Sequence, residues 1–159
     1  MLAALDSALL RLMRARGRSP GAERAVAAFS KLGEHGAIWF ALAGAGALLD
    51  PGRRPAYAGA ARTVAVAFVA NQAVKQTVRR RRPEREGQLV GTPTQLSYPS
   101  THACTSFAGA AALGRVIPAA PLYALAVPLA LSRLYLGVHY PTDSLAGAVL
   151  GHAVAELSR

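Results

Sequence analysis

Residues 116–143 read VIPAAPLYALAVPLALSRLYLGVHYPTD, and this stretch decides how the rest of the chain is read. From Val116 to Ser132 no residue carries a charge; Arg133, His139 and Asp143 then follow in quick succession. An uncharged run of this length, rich in Leu and Ala, approaches the roughly 20 residues that cross a bilayer. Charged and titratable groups set against such a run are expensive there and call for a functional reason.

Working outward, the same contrast recurs. Gly36 to Leu49 and Thr63 to Val74 hold no charged residue, and Ala103 to Gly114 and Ser144 to Val154 are similar. Apolar residues make up 52% of the 159, yet 18 Lys and Arg stand against 8 Asp and Glu, a formal charge of +10. A basic balance of this kind fits nucleic acid, an anionic membrane surface or a phosphorylated substrate. Because the charge is confined to the ends of apolar blocks, membrane embedding is the reading adopted and nucleic acid is set aside. Functional charges interrupting the spans explain a mean hydropathy of only +0.25. The single cysteine, Cys104, excludes an internal disulfide and a Cys-based zinc site. No secretory signal is visible, because the arginines follow the first apolar stretch rather than precede it.

The expected architecture is all-α: a membrane-embedded bundle of about five transmembrane helices with an amphipathic interfacial helix before it, forming one domain over residues 1–159. Within residues 1–31, Leu2, Leu5, Leu9, Leu12 and Met13 recur at helical spacing beside Arg11, Arg14, Arg16 and Arg18. Ser19-Pro20 suits the start of a second helical segment. A first span is expected over Leu32 to Leu49, a turn at Asp50 to Pro55, and a second span from about Tyr57 to Thr77. Arg79 to Pro99, with its glycines, prolines and charges, reads as a loop, and loops that long are usually functional. A third helix is expected from Ser100, a turn near Pro118 to Pro121, a fourth helix to about Tyr135, and a last one from near Thr142. Gly147 and Gly151 form a GxxxG pair, read as helix packing within the fold ahead of a homodimer contact.

With alternating spans, Lys75, Arg82, His102, Arg133 and Asp143 all fall on one side of the membrane. Together with His139 they supply three cations, two histidines and a carboxylate, the inventory for moving a phosphoryl group through a phospho-histidine. Lys75, Arg82 and Arg133 can neutralise a phosphomonoester. Ser100 and the first amides of the helix behind it can donate to phosphate oxygens. The two histidines can divide covalent and acid–base work, with Asp143, four residues beyond His139, orienting its imidazole. A His-x3-Asp pair is also metal-ligand spacing, but no third ligand is evident nearby. Arg79 to Arg81 also read as headgroup contacts, His152 as packing or surface, and Glu34-His35 as a solvated helix end or a substrate contact.

These residues fall into KQTVRRRRP (75–83), PSTH (99–102) and SRLYLGVHYPTD (132–143). In order and spacing they resemble the type 2 phosphatidic acid phosphatase superfamily, whose pattern is K-x6-R-P, P-S-G-H and S-R-x5-H-x3-D. The resemblance covers residues 75–143. It implies His139 as nucleophile, Asp143 as its partner and His102 as the acid, in a phosphatase that uses no metal or other cofactor. It further implies Lys75, Arg82, Ser100, Thr101 and Arg133 as phosphate binders. Thr101 replaces the glycine of the pattern, and its Cβ narrows the pocket, which weakens the case for a direct contact from its amide.

The family acts on several lipid phosphates. The GEHG (33–36) and SRLYLGVHYPTD stretches are also similar to small actinobacterial members acting on decaprenylphosphoryl-5-phosphoribose, a step towards the arabinose donor of the cell wall. The favoured substrate is therefore a polyprenylphosphoryl-5-phosphoribose. Undecaprenyl diphosphate, phosphatidate and phosphatidylglycerol phosphate are the alternatives, and a non-catalytic lipid-binding membrane protein is the alternative of another class. A vanadate-dependent haloperoxidase shares the motif but is expected to be larger and soluble. Arg24, Lys31 and Arg79 to Arg85 on the site side outweigh Arg53, Arg54, Arg115 and Arg159 opposite. The positive-inside rule then places the site on the cytoplasmic face of a bacterial plasma membrane.

Overall fold

A computed structural model describes residues 2–14, 19–84 and 87–159. Arg16, Arg18 and Arg85, which enter the charge reading, lie outside these, as do the side chains of Leu2, Met13 and Arg14. Among the described residues seven α-helices follow one another: α1 Leu2–Arg14, α2 Pro20–Lys31, α3 Ala37–Leu49, α4 Arg54–Val78, α5 Thr101–Leu113, α6 Ala119–Tyr135 and α7 Pro141–Leu157. Short 3-10 turns at Glu34–Gly36 and Pro51–Arg53 join α2 to α3 and α3 to α4. Among the described residues there is no strand, only an antiparallel bridge between Arg81 and Leu96. The all-helical expectation holds.

Local chemistry sets the boundaries. Ser19 caps α2 by accepting the Ala22 amide at 3.2 Å, and Pro20 occupies the first turn, where a missing N–H costs nothing. The first span expected over Leu32 to Leu49 is corrected: its helix begins only at Ala37. His35 (φ 50°) and Gly36 (φ 80°) are left-handed, and the Ile38 amide reaches back to the Leu32 carbonyl at 2.9 Å. Glycine bears that φ without strain, whereas a non-glycine residue resists it. The turn expected at Pro118 to Pro121 is shorter than it looked, since Pro121 already lies in the first turn of α6.

α5 is the axis of the assembly, packing against α7, α4 and α6. Its residues are small, and Ala103, Cys104, Ala108 and Ala110 are fully buried. Close approach to α7 needs Gly147 and Gly151. A Cβ on Gly151 would fall on the Cys104 carbonyl oxygen, and one on Gly147 would lie 3.0 Å from the Ala103 Cβ while colliding with the Ser100 carbonyl. The GxxxG pair thus works inside the chain, as its packing reading required. On the other side, Trp39 of α3 is buried against Gly109 and donates from Nε1 to Ser106 Oγ at 3.1 Å.

Outward faces are apolar: Leu48, Leu49, Val66, Val69, Leu145 and Val149 are all exposed, as lipid-facing side chains would be. By length and composition one helical stretch, Pro20–Leu49, is long and apolar enough to cross a membrane. α5 has 13 residues and spans about 20 Å, short of the ~30 Å hydrocarbon core. α4 has 25 residues but carries Arg62 and Lys75. Helix lengths alone therefore do not yield the five expected spans.

Gly151→Ala should lower the melting temperature of the detergent-purified protein markedly, since overpacking costs roughly 1–3 kcal/mol. Gly44→Ala, where nothing lies within 4 Å of the added Cβ, should leave it unchanged or slightly raised.

Candidate active site

The ends of α2, α4, α5 and α6 and the 79–100 loop enclose a cavity of about 500 Å³. Lys75, Arg82, Thr101, His102, Arg133 and His139 all line it, brought together from motifs 64 residues apart in sequence (75 to 139). Ser30, Lys31, Glu34, His35, Phe68 and Gln72 also line it, beside the loop residues Val90, Gly91, Pro93 and Thr94.

Each side chain is held by its own surroundings. Lys75, in the last turn of α4, is buried and donates to the Pro99 carbonyl at 2.8 Å. Arg82 donates from Nε to the Thr94 carbonyl (2.8 Å) and from one terminal nitrogen to the Val138 carbonyl (2.7 Å). Its backbone amide bonds the Gln95 carbonyl, and the Leu89 amide bonds the Leu136 carbonyl, so the long loop is folded back across the cavity mouth. Arg133 donates to Ser30 Oγ at 2.9 Å, while its buried Nε has no hydrogen-bond partner. Thr101 donates to Asn71 Oδ1 at 2.8 Å, so its hydroxyl braces α5 against α4.

The histidines are set by their partners. His102 Nε2 lies 3.1 Å from the Ser30 carbonyl, which can only accept, so that nitrogen carries a proton. His139 is buried, with Nε2 3.1 Å from an Arg82 nitrogen and Nδ1 3.5 Å from Asp143 Oδ2. Arginine can only donate, so Nε2 presents its lone pair and the Nδ1 proton faces Asp143. Burial pushes the His139 imidazole down to about 3 against the pull of Asp143, with Arg82 adding to the fall. Burial likewise lowers Arg82 to about 10, which leaves it cationic at neutral pH. The pocket therefore holds a neutral imidazole beside fixed positive charge.

Two residues of the expected set stand behind the cavity rather than in its wall. Asp143 is fully buried, accepting from the Tyr140 amide at 2.9 Å and from Arg80 at 2.9 Å. Ser100, also fully buried, caps α5 with its Oγ and donates its amide to the Asp143 carbonyl at 2.9 Å. Its hydroxyl is thus a helix cap, not a cavity-lining donor as expected.

Sequence reasoning missed Ser30, Asn71, Asp6 and Arg80. The first two are ordinary polar residues in apolar helices. Asp6 carried a signal, being the sole acid before Glu23. Arg80 hid within Arg79 to Arg82; the headgroup reading of that run fails for it, because its guanidinium is tied into protein. His152 is exposed, with Nδ1 3.4 Å from the Tyr123 hydroxyl, in keeping with its surface reading.

The helical frame and this cluster define a known class: the chain belongs to the PAP2 superfamily, whose pattern matches residues 56–158. It is 42% identical over 146 residues to the decaprenylphosphoryl-5-phosphoribose phosphatase of Mycolicibacterium smegmatis, covering 89% of this chain and 80% of that one. Two solved structures share the fold at 24% identity. The PAP2-type phosphatidylglycerolphosphate phosphatase of Bacillus subtilis gives a TM-score of 0.80, with 99% of this chain and 84% of that chain covered. LpxE of Aquifex aeolicus gives 0.82, with 97% and 94% covered.

Arg82→Ala removes the guanidinium bonds to the Thr94 and Val138 carbonyls that support the folded-back loop beside its backbone bonds. Amide exchange across residues 87–97 should accelerate roughly tenfold or more, as expected from losing hydrogen bonds to a charged group; hydrogen-exchange mass spectrometry measures this directly.

Proposed function

We propose that this chain is a membrane lipid phosphatase that removes the terminal phosphate of a polyprenylphosphoryl-5-phosphoribose through a phospho-histidine at His139. The observation that carries the mechanism is the His139 ring itself, with an unprotonated Nε2 beside Arg82 in the cavity and its Nδ1 proton turned to Asp143. The identity to the Mycolicibacterium smegmatis enzyme supports the choice of substrate. So does Glu34 in the cavity wall: a carboxylate would repel phosphate but accept hydrogen bonds from sugar hydroxyls.

In this mechanism Lys75, Arg82 and Arg133 bind the phosphate dianion and neutralise the charge spread over its oxygens in the transition state. The dianion favours the protonated form of His102, whose Nε2 keeps its proton and donates it to the Ser30 carbonyl. His139 Nε2 attacks phosphorus, the bond from phosphorus to the ribose 5-oxygen breaks, and His102 gives the proton on its other nitrogen to that oxygen. Asp143 stabilises the positive charge that develops on the His139 ring. Water then attacks phosphorus, giving a proton to His102, and the P–N bond breaks to release inorganic phosphate and restore the neutral imidazole.

His139→Ala should abolish phosphate release from a short-chain prenylphosphoryl-5-phosphoribose in micelles, and Asp143→Asn should reduce it severely, while both variants keep the wild-type circular dichroism spectrum. EDTA should leave wild-type activity unchanged and orthovanadate should inhibit it. Activity lost in chelator and restored by zinc or magnesium would replace this mechanism with a metal-dependent one. Run beside phosphatidate and undecaprenyl diphosphate, the same assay should show a preference for the phosphoribosyl lipid.

The cavity is further proposed to open on the cytoplasmic side of the plasma membrane, on the strength of the arginine excess around the loop. In a Cys104→Ser background, Gln88→Cys should resist a membrane-impermeant thiol reagent on intact cells and react after permeabilisation. Labelling of intact cells would put the site outside.

A further inference from the structure

Asp6 is an anomaly. It sits in α1, a helix whose Leu5, Leu9 and Leu12 are exposed, yet it is only 3% exposed itself. Burying a lone carboxylate is costly unless it is paired and hydrogen-bonded. Its partners lie far along the chain. Oδ1 accepts the Thr142 amide at 3.0 Å, Oδ2 accepts the Thr142 hydroxyl, and Arg80 donates to Oδ2 at 2.8 Å. Burial works against the charge, but Thr142 and Arg80 hold the carboxyl below its ordinary value. Asp6 therefore caps the start of α7 from another helix, where the helix dipole favours an anion.

Arg80 continues the chain of contacts. One terminal nitrogen binds Asp6; the other binds Asp143 Oδ1 at 2.9 Å and the Thr142 hydroxyl at 2.7 Å. The guanidinium lies 4.1 Å from the Tyr140 ring centroid, stacked on its face. At the loop, the Arg80 carbonyl accepts the Ser97 amide at 2.8 Å. Asp143 is thus gripped at Oδ1 by Arg80 and at Oδ2 by the Tyr140 amide, which orients Oδ2 towards His139 Nδ1. Without Arg80 the carboxylate keeps the Tyr140 amide at Oδ2 but loses the bond at Oδ1 that fixes its terminal torsion. Without Asp6, Arg80 keeps Asp143, the Thr142 hydroxyl and the Tyr140 ring but loses one of its two carboxylates, and its guanidinium is held less closely in place.

We infer that Arg80 is a positioning residue for the His139–Asp143 pair and that Asp6 holds it in place, so that the N-terminal helix is a working part of the active centre. The inference rests on the phospho-histidine reading above. An alternative role is purely mechanical, with Asp6 and Arg80 pinning α1 to the bundle and leaving the carboxylate undisturbed. A further electrostatic possibility is separable as well: a cation beside Asp143 weakens its support for an imidazolium, so removing that charge alone would raise turnover or leave it unchanged.

The test measures kcat and KM of the purified full-length protein with a short-chain prenylphosphoryl-5-phosphoribose in micelles, together with melting temperatures. Asp6→Asn and Arg80→Ala should each lower kcat roughly ten- to a hundredfold, the scale on which an ångström of misplacement acts, with KM within about twofold of wild type. Arg80→Lys, which keeps the charge but cannot bridge both carboxylates, should fall between wild type and Arg80→Ala. The double variant should be no slower than Arg80→Ala alone, because both residues act through one chain of contacts. If Arg80→Ala fails to fold, Asp6→Asn and Arg80→Lys, which preserve side-chain volume, decide the matter. Unchanged kcat in those two variants, with only the melting temperature lowered, would overturn the inference in favour of a structural staple. Turnover by His139→Ala in the same assay would instead bring down the mechanism beneath it.

Discussion

Asp143 has no exposure to solvent, and a buried carboxylate persists only where every lone pair is met. Much of the architecture follows from meeting them. Its side chain accepts from Arg80 of the 79–100 loop and from the Tyr140 amide of the α6–α7 connection, with His139 Nδ1 3.5 Å away. Its backbone carbonyl takes the Ser100 amide, which fixes where α5 begins relative to α7. Gly147 lets the Ser100 carbonyl come close enough for that bond to form. The residue that supplies the proposed catalytic carboxylate therefore also registers the two central helices through its backbone carbonyl.

The opposite charge is distributed differently. Lys75 and Arg133 are buried and Arg82 is half-buried, each hydrogen-bonded chiefly to carbonyls or a hydroxyl rather than to a carboxylate. Cations placed this way keep their attraction for an incoming anion instead of spending it on an internal ion pair, and a phosphate dianion is the natural counter-charge. The acid that would quench them, Asp143, is turned away and satisfied by Arg80. In the proposed mechanism a neutral His139 next to this field attacks phosphorus without first losing a proton.

What was legible in the sequence was whatever depended on local spacing. The cap at Ser19, the end of α6 at Tyr135 and the closeness of His139 to Asp143 each follow from neighbours within four residues. The glycine pair in α7 was read correctly because small residues at that spacing have one dominant use. The break before α3 was missed, because an apolar run gives no sign of the left-handed backbone at His35 and Gly36. The Asp6–Thr142 and Ser30–Arg133 contacts were out of reach for a different reason. They join residues more than a hundred positions apart and exist only once α1 and α2 have docked. Arg80 illustrates the limit most sharply: four consecutive arginines look alike until the fold assigns them different partners.

The central claim is a covalent phosphoryl group on His139, and rapid acid-free quenching during turnover tests it most directly. With a short-chain prenylphosphoryl-5-phosphoribose carrying labelled terminal phosphate, mass spectrometry should find an acid-labile, base-stable phosphoryl adduct on the peptide containing His139, absent from His139→Ala. Turnover at full rate with no adduct on any histidine at the earliest quench times, and inversion rather than retention at a chirally labelled phosphorus, would contradict the account and point to direct attack by water.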